Sequence, residues 1–199
     1  VFVSLNYRVG IDGFMQLPGA PANRGLLDQV CALRWVHTHI DRFGGDPNRV
    51  TLAGGSAGAG SVACLIAMQD TVGLFSRAIM QSPSTSTQTL EEAERASRAI
   101  AGLLDVAPTL EAMKAVPLER CISAVNRLAD DPALRQSLGM SVRQYFPLRP
   151  VVDAEVLTHA PIDALPGRAG SLNFLKVDIL VGSNRDEMRL YLLANGMLT

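Results

Sequence analysis

The sequence predicts an α/β protein with a largely parallel sheet and helices on both faces. Three observations carry that expectation. Short β-branched runs alternate with stretches of helical period, in the order strand, helix, strand, helix, strand, helical insertion, strand, helix. The second strand leads through a glycine-rich turn, Gly54-Gly55-Ser56-Ala57-Gly58-Ala59-Gly60, straight into an apolar helix. The 199 residues are 48% hydrophobic and 19% charged, which suffices for one sizeable core.

Residues 1–6 (VFVSLN) read as a short strand, followed by a loop with Gly10, Gly13, Pro18, Gly19 and Pro21. From 23 to about 41, Leu26, Leu27, Val30, Leu33, Val36 and Ile40 recur at helical spacing. Asn23 is the candidate cap of that helix, Gly44-Gly45-Asp46-Pro47 ends it, and Trp35 reads as a core anchor on it. Residues 50–53 form the second strand, 57–68 the second helix, and RAIMQ at 77–81 the third strand before the polar loop SPSTSTQ. Residues 90–129 then turn helical in three pieces separated by Pro108 and Pro117, and 130–150 read as irregular. A last strand covers 177–181, with helix expected at 186–194. The helical stretch is too long for one crossover. Residues 1–199 therefore read as one domain with a cap-like insertion at about 88–148.

The net charge of −1 gives no electrostatic case for nucleic acid or an anionic membrane. No apolar run approaches the roughly 18–20 residues that span a bilayer. Cys31, Cys64 and Cys121 are scattered without a CxxC pair and read as reduced, buried thiols. The sequence opens inside a strand without an initiator Met and stops at NGMLT, so it reads as a piece of a longer chain, with neither compartment nor oligomeric state written in it.

The glycine-rich turn admits three chemistries. A Walker-type phosphate loop needs a lysine after its last glycine, and none stands near Gly60. A dinucleotide fingerprint at Gly58, Gly60 and Ala63 would need its first glycine to end the strand, but Gly58 lies five positions past Ala53. Its acidic partner is also missing from 80–82. The third pattern, G-x-S-x-G, is met by Gly54, Ser56 and Gly58, with a strand before and a helix after. That is the nucleophile elbow of α/β-hydrolases. A sharp strand-to-helix turn strains the serine, asks for small neighbours, and sets the free N–H groups of a helix N-terminus beside the hydroxyl. A glycine-rich turn with an incidental serine stays open at this point.

The flanking residues narrow the choice. NYRVG (6–10), Asn23, Gly25, Asp28 and Gln29, ALRWV (32–36), FGGDPNRVT (43–51), GGSAGAG (54–60), GLFSRAIMQS (73–82), PVVDAEVL (150–157) and ILVGSNRDE (179–187) together resemble the type-B carboxylesterase family. That family includes bacterial carboxylesterases and cholinesterases and has the α/β-hydrolase fold. The resemblance covers essentially the whole chain and is weakest over 84–148. It implies a Ser–Glu–His triad that hydrolyses small-molecule carboxylic esters through an acyl-enzyme, with no cofactor. Ser56 matches the nucleophile, the N–H of Ala57 one oxyanion-hole donor, and Glu187 the acid, while Gly54, Gly55 and Gly58 support the turn.

Glu187 is also reached from the residues themselves. It follows the strand DILVG, after the nucleophile in sequence, where this fold takes its triad acid; Asp186 is its rival. The family usually carries Glu where this chain has Gly55, so the site loses a negative charge and should favour cationic substrates less. His37 and His39, two residues apart on a helix, point to different faces, and His159 precedes the acid. The base is therefore expected beyond Thr199 and the family's glycine-rich oxyanion loop before Val1, leaving the isolated segment with little activity. The alternatives are a non-catalytic adhesion or binding relative, or a lipase or peptidase of the same fold. Arg8 is expected to pair with a carboxylate, and Cys64 to serve packing.

Overall fold

A computed structural model describes residues 1–140, 146–164, 176–187 and 189–194. After the short helix α1 (Gly10–Phe14), α2 (Arg24–His39) buries Leu26, Val30, Leu33 and Val36 on the stripe its spacing dictates. Asn23 stands at the N-cap position, but in left-handed backbone (φ 55°, ψ 34°) and without capping through its side chain. Its amide reaches across the molecule instead. Nδ2 donates to the carbonyl of Val151 at 2.7 Å, and Oδ1 accepts the Val151 N–H at 2.7 Å. Those buried backbone groups need partners, and the demand outweighs a local cap.

Trp35 departs from its expected burial. It is 47% exposed and packs its ring 5.2 Å from His39 and 5.9 Å from Phe43. One position before Val36, it is rotated about 100° off the buried stripe. Residues 1–6 also form no strand, and Phe2 is 92% exposed. A strand exists through its ladder, and no partner lies alongside among the described residues.

Among the described residues, the central sheet has three parallel strands, β1 (Thr51–Gly55), β2 (Arg77–Gln81) and β5 (Asp178–Gly182), in the order β1-β2-β5. Register aligns Gly55 with Gln81 and Gln81 with Gly182, so the three carboxyl ends finish level. Between β1 and β2 the chain runs through α3 (Ala57–Ala67), which lies on one face over Ala78 and Met80. On the opposite face Thr51, Ala53 and Leu180 are exposed. The core beneath α3 joins Leu26, Val30 and Leu33 of α2 to Val62, Leu65, Ile66 and Phe75.

A second ladder, β3 (Gln88–Thr89) with β4 (Val151–Val152), is also parallel. Between its strands come α4 (Leu90–Leu104), α5 (Leu110–Lys114), α6 (Leu118–Asp130) and α7 (Pro132–Ser137). A capping box starts α4: Thr89 Oγ1 accepts the Glu92 N–H, and Glu92 Oε2 accepts the Thr89 N–H. These helices share a core of their own, in which Ile100, Leu104, Met113 and Leu128 close over Met15 and Leu17. The stretch expected to be irregular holds α7, which Asp131 caps ahead of Pro132. Residues 141–145 of that stretch, Met188 of the expected last helix and the NGMLT end lie outside the described residues. After α8 (Pro161–Ala164), the final helix α9 (Arg189–Ala194) starts later than its sequence pattern, leaving Asp186 and Glu187 ahead of it.

Of the cysteines, Cys64 and Cys121 are buried and Cys31 is exposed. Burial pushes the Cys64 thiol up to about 12. Among the described residues, no helix is long and apolar enough to cross a membrane.

Candidate active site

The turn from β1 into α3 holds Ser56 at φ 52°, ψ −117°, a backbone conformation that costs a non-glycine residue about 1–3 kcal/mol. Two hydrogen bonds fix it there. The Ser56 N–H donates to the Gln81 carbonyl at 2.8 Å, and the Ser56 carbonyl accepts from Gly60 N–H at 2.9 Å. The serine is exposed and its side chain makes no capping bond, so the hydroxyl is not committed to the helix. Ala57 opens the 11-residue α3, whose free first N–H groups and dipole favour an anion at this end.

The glycines around the serine carry unequal steric loads. A Cβ on Gly54 would overlap the backbone of Gly58 and stand 2.7 Å from the Ala59 nitrogen. One on Gly60 would overlap the Ser84 carbonyl. A Cβ on Gly58 would meet nothing within 4 Å, and one on Gly55 only the Gln81 side-chain oxygen at 4.0 Å. Tight approach of strand to helix therefore rests on Gly54, and the close passage of the 82–86 loop on Gly60.

Glu187 lies just beyond β5 and turns back toward the sheet. Its Oε1 accepts from Ser82 Oγ at 2.7 Å and from the Asn184 N–H at 2.5 Å. Ser82 itself sits in left-handed backbone (φ 53°) at the end of β2, its N–H on the Gly182 carbonyl at 2.7 Å. The neighbouring Asp186 serves α9 instead, accepting from Arg189 Nη1 at 3.3 Å. Sequence reasoning gave Ser82 no role. Its only signal was its place as the polar residue immediately after β2 in the matched GLFSRAIMQS stretch.

Strand spacing sets the scale of the site. Neighbouring strands lie about 4.8 Å apart, so the ends of β1 and β5 stand about 10 Å from one another with β2 between them. Ser56 follows the end of β1 directly, and Glu187 lies just beyond that of β5. Of the histidines, His37 is exposed, His39 lies against Trp35, and His159 meets Thr158 at 3.0 Å. Asn184, Arg185, Asp186, Arg189 and Leu193 form a shallow, open stretch of surface beside Glu187. Among the described residues, no three His, Cys, Asp or Glu gather as metal ligands.

Arg8 pairs as the sequence suggested. Its Nε and Nη2 bond the two oxygens of Asp28 at 2.8 and 2.6 Å, and its backbone N–H adds a third bond at 3.0 Å. The guanidinium holds the Asp28 carboxyl below its ordinary range.

A serine on a strained strand-to-helix turn, at the level carboxyl edge of a parallel sheet, is the arrangement of an α/β-hydrolase. The carboxylesterase family model matches residues 1–197. Acetylcholinesterase of Myxine glutinosa is 38% identical over 97% of this chain, and para-nitrobenzyl esterase of Bacillus subtilis 36% over 96%. Among solved structures, a thermophilic PNB esterase superposes with a TM-score of 0.80 at 34% identity, covering 94% of this chain and 37% of its own. A Geobacillus stearothermophilus carboxylesterase gives 0.77 at 35% identity, over 96% and 38%. The chain belongs to the carboxylesterase family. It spans 56% of the Myxine protein and 38% of the Bacillus one.

Proposed function

We propose that the protein containing this chain is a serine carboxylesterase that hydrolyses uncharged, moderately apolar carboxylic esters or related carbamates through an acyl-enzyme. The backbone of Ser56 carries this reading: φ 52° in an exposed serine at the head of α3 is strain without a structural return. Ser56 Oγ attacks the ester carbonyl and passes its proton to a base. The oxyanion takes the Ala57 N–H, the alcohol leaves with the proton, and water then releases the acid. Glu187, held by Ser82 and Asn184, orients the base and stabilises its charged form. Gly55 supports the choice of an uncharged substrate, since no carboxylate stands beside the serine there. The helices between β3 and β4, which pack around a core of their own, correspond to the cap-like insertion expected over about 88–148. The positions of His37, His39 and His159 support a base outside these 199 residues, so the segment alone turns over little ester.

The test is a fluorophosphonate probe on the full reading frame. Labelling should be abolished by Ser56→Ala, and labelling that persists in that variant rejects the assignment. Full-length protein with its histidine present that hydrolyses none of a panel of aryl esters would favour a binding relative instead.

A further inference from the structure

We propose that Gly60 is a positioning residue for Glu187: by letting the Ser84 carbonyl close onto α3, it keeps Ser82 in the strained backbone that offers its hydroxyl to the acid. The inference rests on the esterase reading and deepens it, since it concerns how the chain aims the carboxylate of that same site.

Three observations converge. A Cβ on Gly60 would overlap the Ser84 carbonyl oxygen and stand 3.3 Å from its carbon, so backbone passes here where no side chain fits. Two residues back, Ser82 sits at φ 53°. Left-handed backbone is costly for a residue other than glycine, and Pro83 adds to the cost by driving the residue before it toward extended conformations. Such a conformation persists only where its surroundings hold it. The Ser82 N–H on the Gly182 carbonyl, at 2.7 Å, fixes one side of it. On the other side no hydrogen bond among the described residues holds Pro83, Ser84 or Thr85, so packing against Gly60 is what seats the loop. The third observation is the outcome: Ser82 Oγ donates to Glu187 Oε1 at 2.7 Å.

A methyl placed between helix and loop moves the loop. Residues 59–67 of α3 are buried in the core, whereas Ser84 is exposed. The ring of Pro83 locks its own φ and so passes a shift at Ser84 back to Ser82. A shift of about 1 Å there stretches the bond to Glu187 beyond hydrogen-bonding distance.

The test is a double-mutant cycle on full-length protein with p-nitrophenyl acetate, with kcat counted per fluorophosphonate-labelled site so that unfolded molecules drop out. Gly60→Ala should lower kcat about tenfold, the effect of one hydrogen bond to a charged group, and leave KM within about twofold. In a Ser82→Ala background the same substitution should change kcat by less than about twofold, because the link it disturbs is already gone. Independent losses, about a hundredfold in the double variant, mean that α3 and Ser56 moved instead of the loop, and overturn the proposal. Gly60→Ala as fast as wild type overturns it too. Should Gly60→Ala fail to fold, Pro83→Ala loosens the same loop from its other end and should cause a loss of kcat that Ser82→Ala again absorbs; no loss, or an additive one, is equally fatal. Wild-type protein that does not label sinks the esterase reading, whereas labelled variants with additive losses sink the role of Gly60 alone.

Discussion

Gly54→Ala tests the turn that presents Ser56. The added methyl would stand 2.7 Å from the Ala59 nitrogen, where ordinary contact begins at 3.4 Å, and it would overlap Gly58 as well. The shortfall to Ala59 alone is 3.4 − 2.7 = 0.7 Å, and it falls on backbone at both ends, which cannot swing aside as a side chain can. Strand β1 and the first turn of α3 must then separate by most of an ångström. Overpacking of this kind costs about 1–3 kcal/mol of stability. The displacement also moves the Ser56 hydroxyl relative to the Ala57 N–H, and a misplacement near 1 Å costs on the order of a hundredfold in rate. Urea unfolding and pre-steady-state bursts with p-nitrophenyl acetate on the full-length protein measure the two effects. Gly58→Ala is the internal control, because its methyl meets nothing within 4 Å. Helix propensity predicts a gain of up to about 1 kcal/mol there. Gly54→Ala as stable and as fast as wild type, or Gly58→Ala as the more destabilising of the pair, would refute the reasoning.

Three further outcomes follow from the same geometry. Ser82→Ala removes the hydroxyl that donates to Glu187 at 2.7 Å, and should lower kcat about tenfold and shift the acid limb of the pH–rate profile; an unchanged profile counts against Glu187 as the orienting carboxylate. In the native protein Ellman's reagent should modify Cys31 and spare Cys64, whose thiol is buried and pushed up to about 12, so early loss of Cys64 in a mass-mapped time course would contradict the packing. Arg8 holds the Asp28 carboxyl below its ordinary value, so the pair's stability is present above about pH 4 and is lost as pH falls through the lowered value. The pair is partly exposed and contributes at most about 1 kcal/mol. Melting temperatures of Asp28→Asn should therefore fall less than those of wild type between pH 5 and 2, and parallel curves would refute the coupling.

What the sequence disclosed was local in character. The stripe on α2, the sequence of strand, turn and helix at Ser56, and the three pieces of helix after residue 90 are patterns within a few turns of chain, and period and turn chemistry report them. The places of Ser56 at the head of α3 and of Glu187 just past β5 were legible too, because both follow from strand and helix order along the chain. Contacts closed over long separations were not. Asn23 reads as a helix cap until Val151, 128 residues away, claims its amide. Ser82 reads as loop until Glu187, 105 residues away, folds back onto it. Trp35 fits an apolar pattern, yet a rotation of one residue carries it to the surface. In the glycine pattern, Gly54 and Gly58 look alike as letters; only the path of α3 over β1 loads one of them.

Ser56 and Glu187 share a mount. Ser56 is hung by its N–H from Gln81, and Glu187 is hung from Ser82, the next residue along. A displacement of β2 against the rest of the molecule therefore carries both groups the same way and largely cancels in the distance between them. Thermal motion of that strand becomes common-mode motion, and what reaches the gap is the much smaller flexing of two short hydrogen-bonded links. The same arrangement has an inverse: a distortion of the Gln81–Ser82 peptide reaches both groups at once.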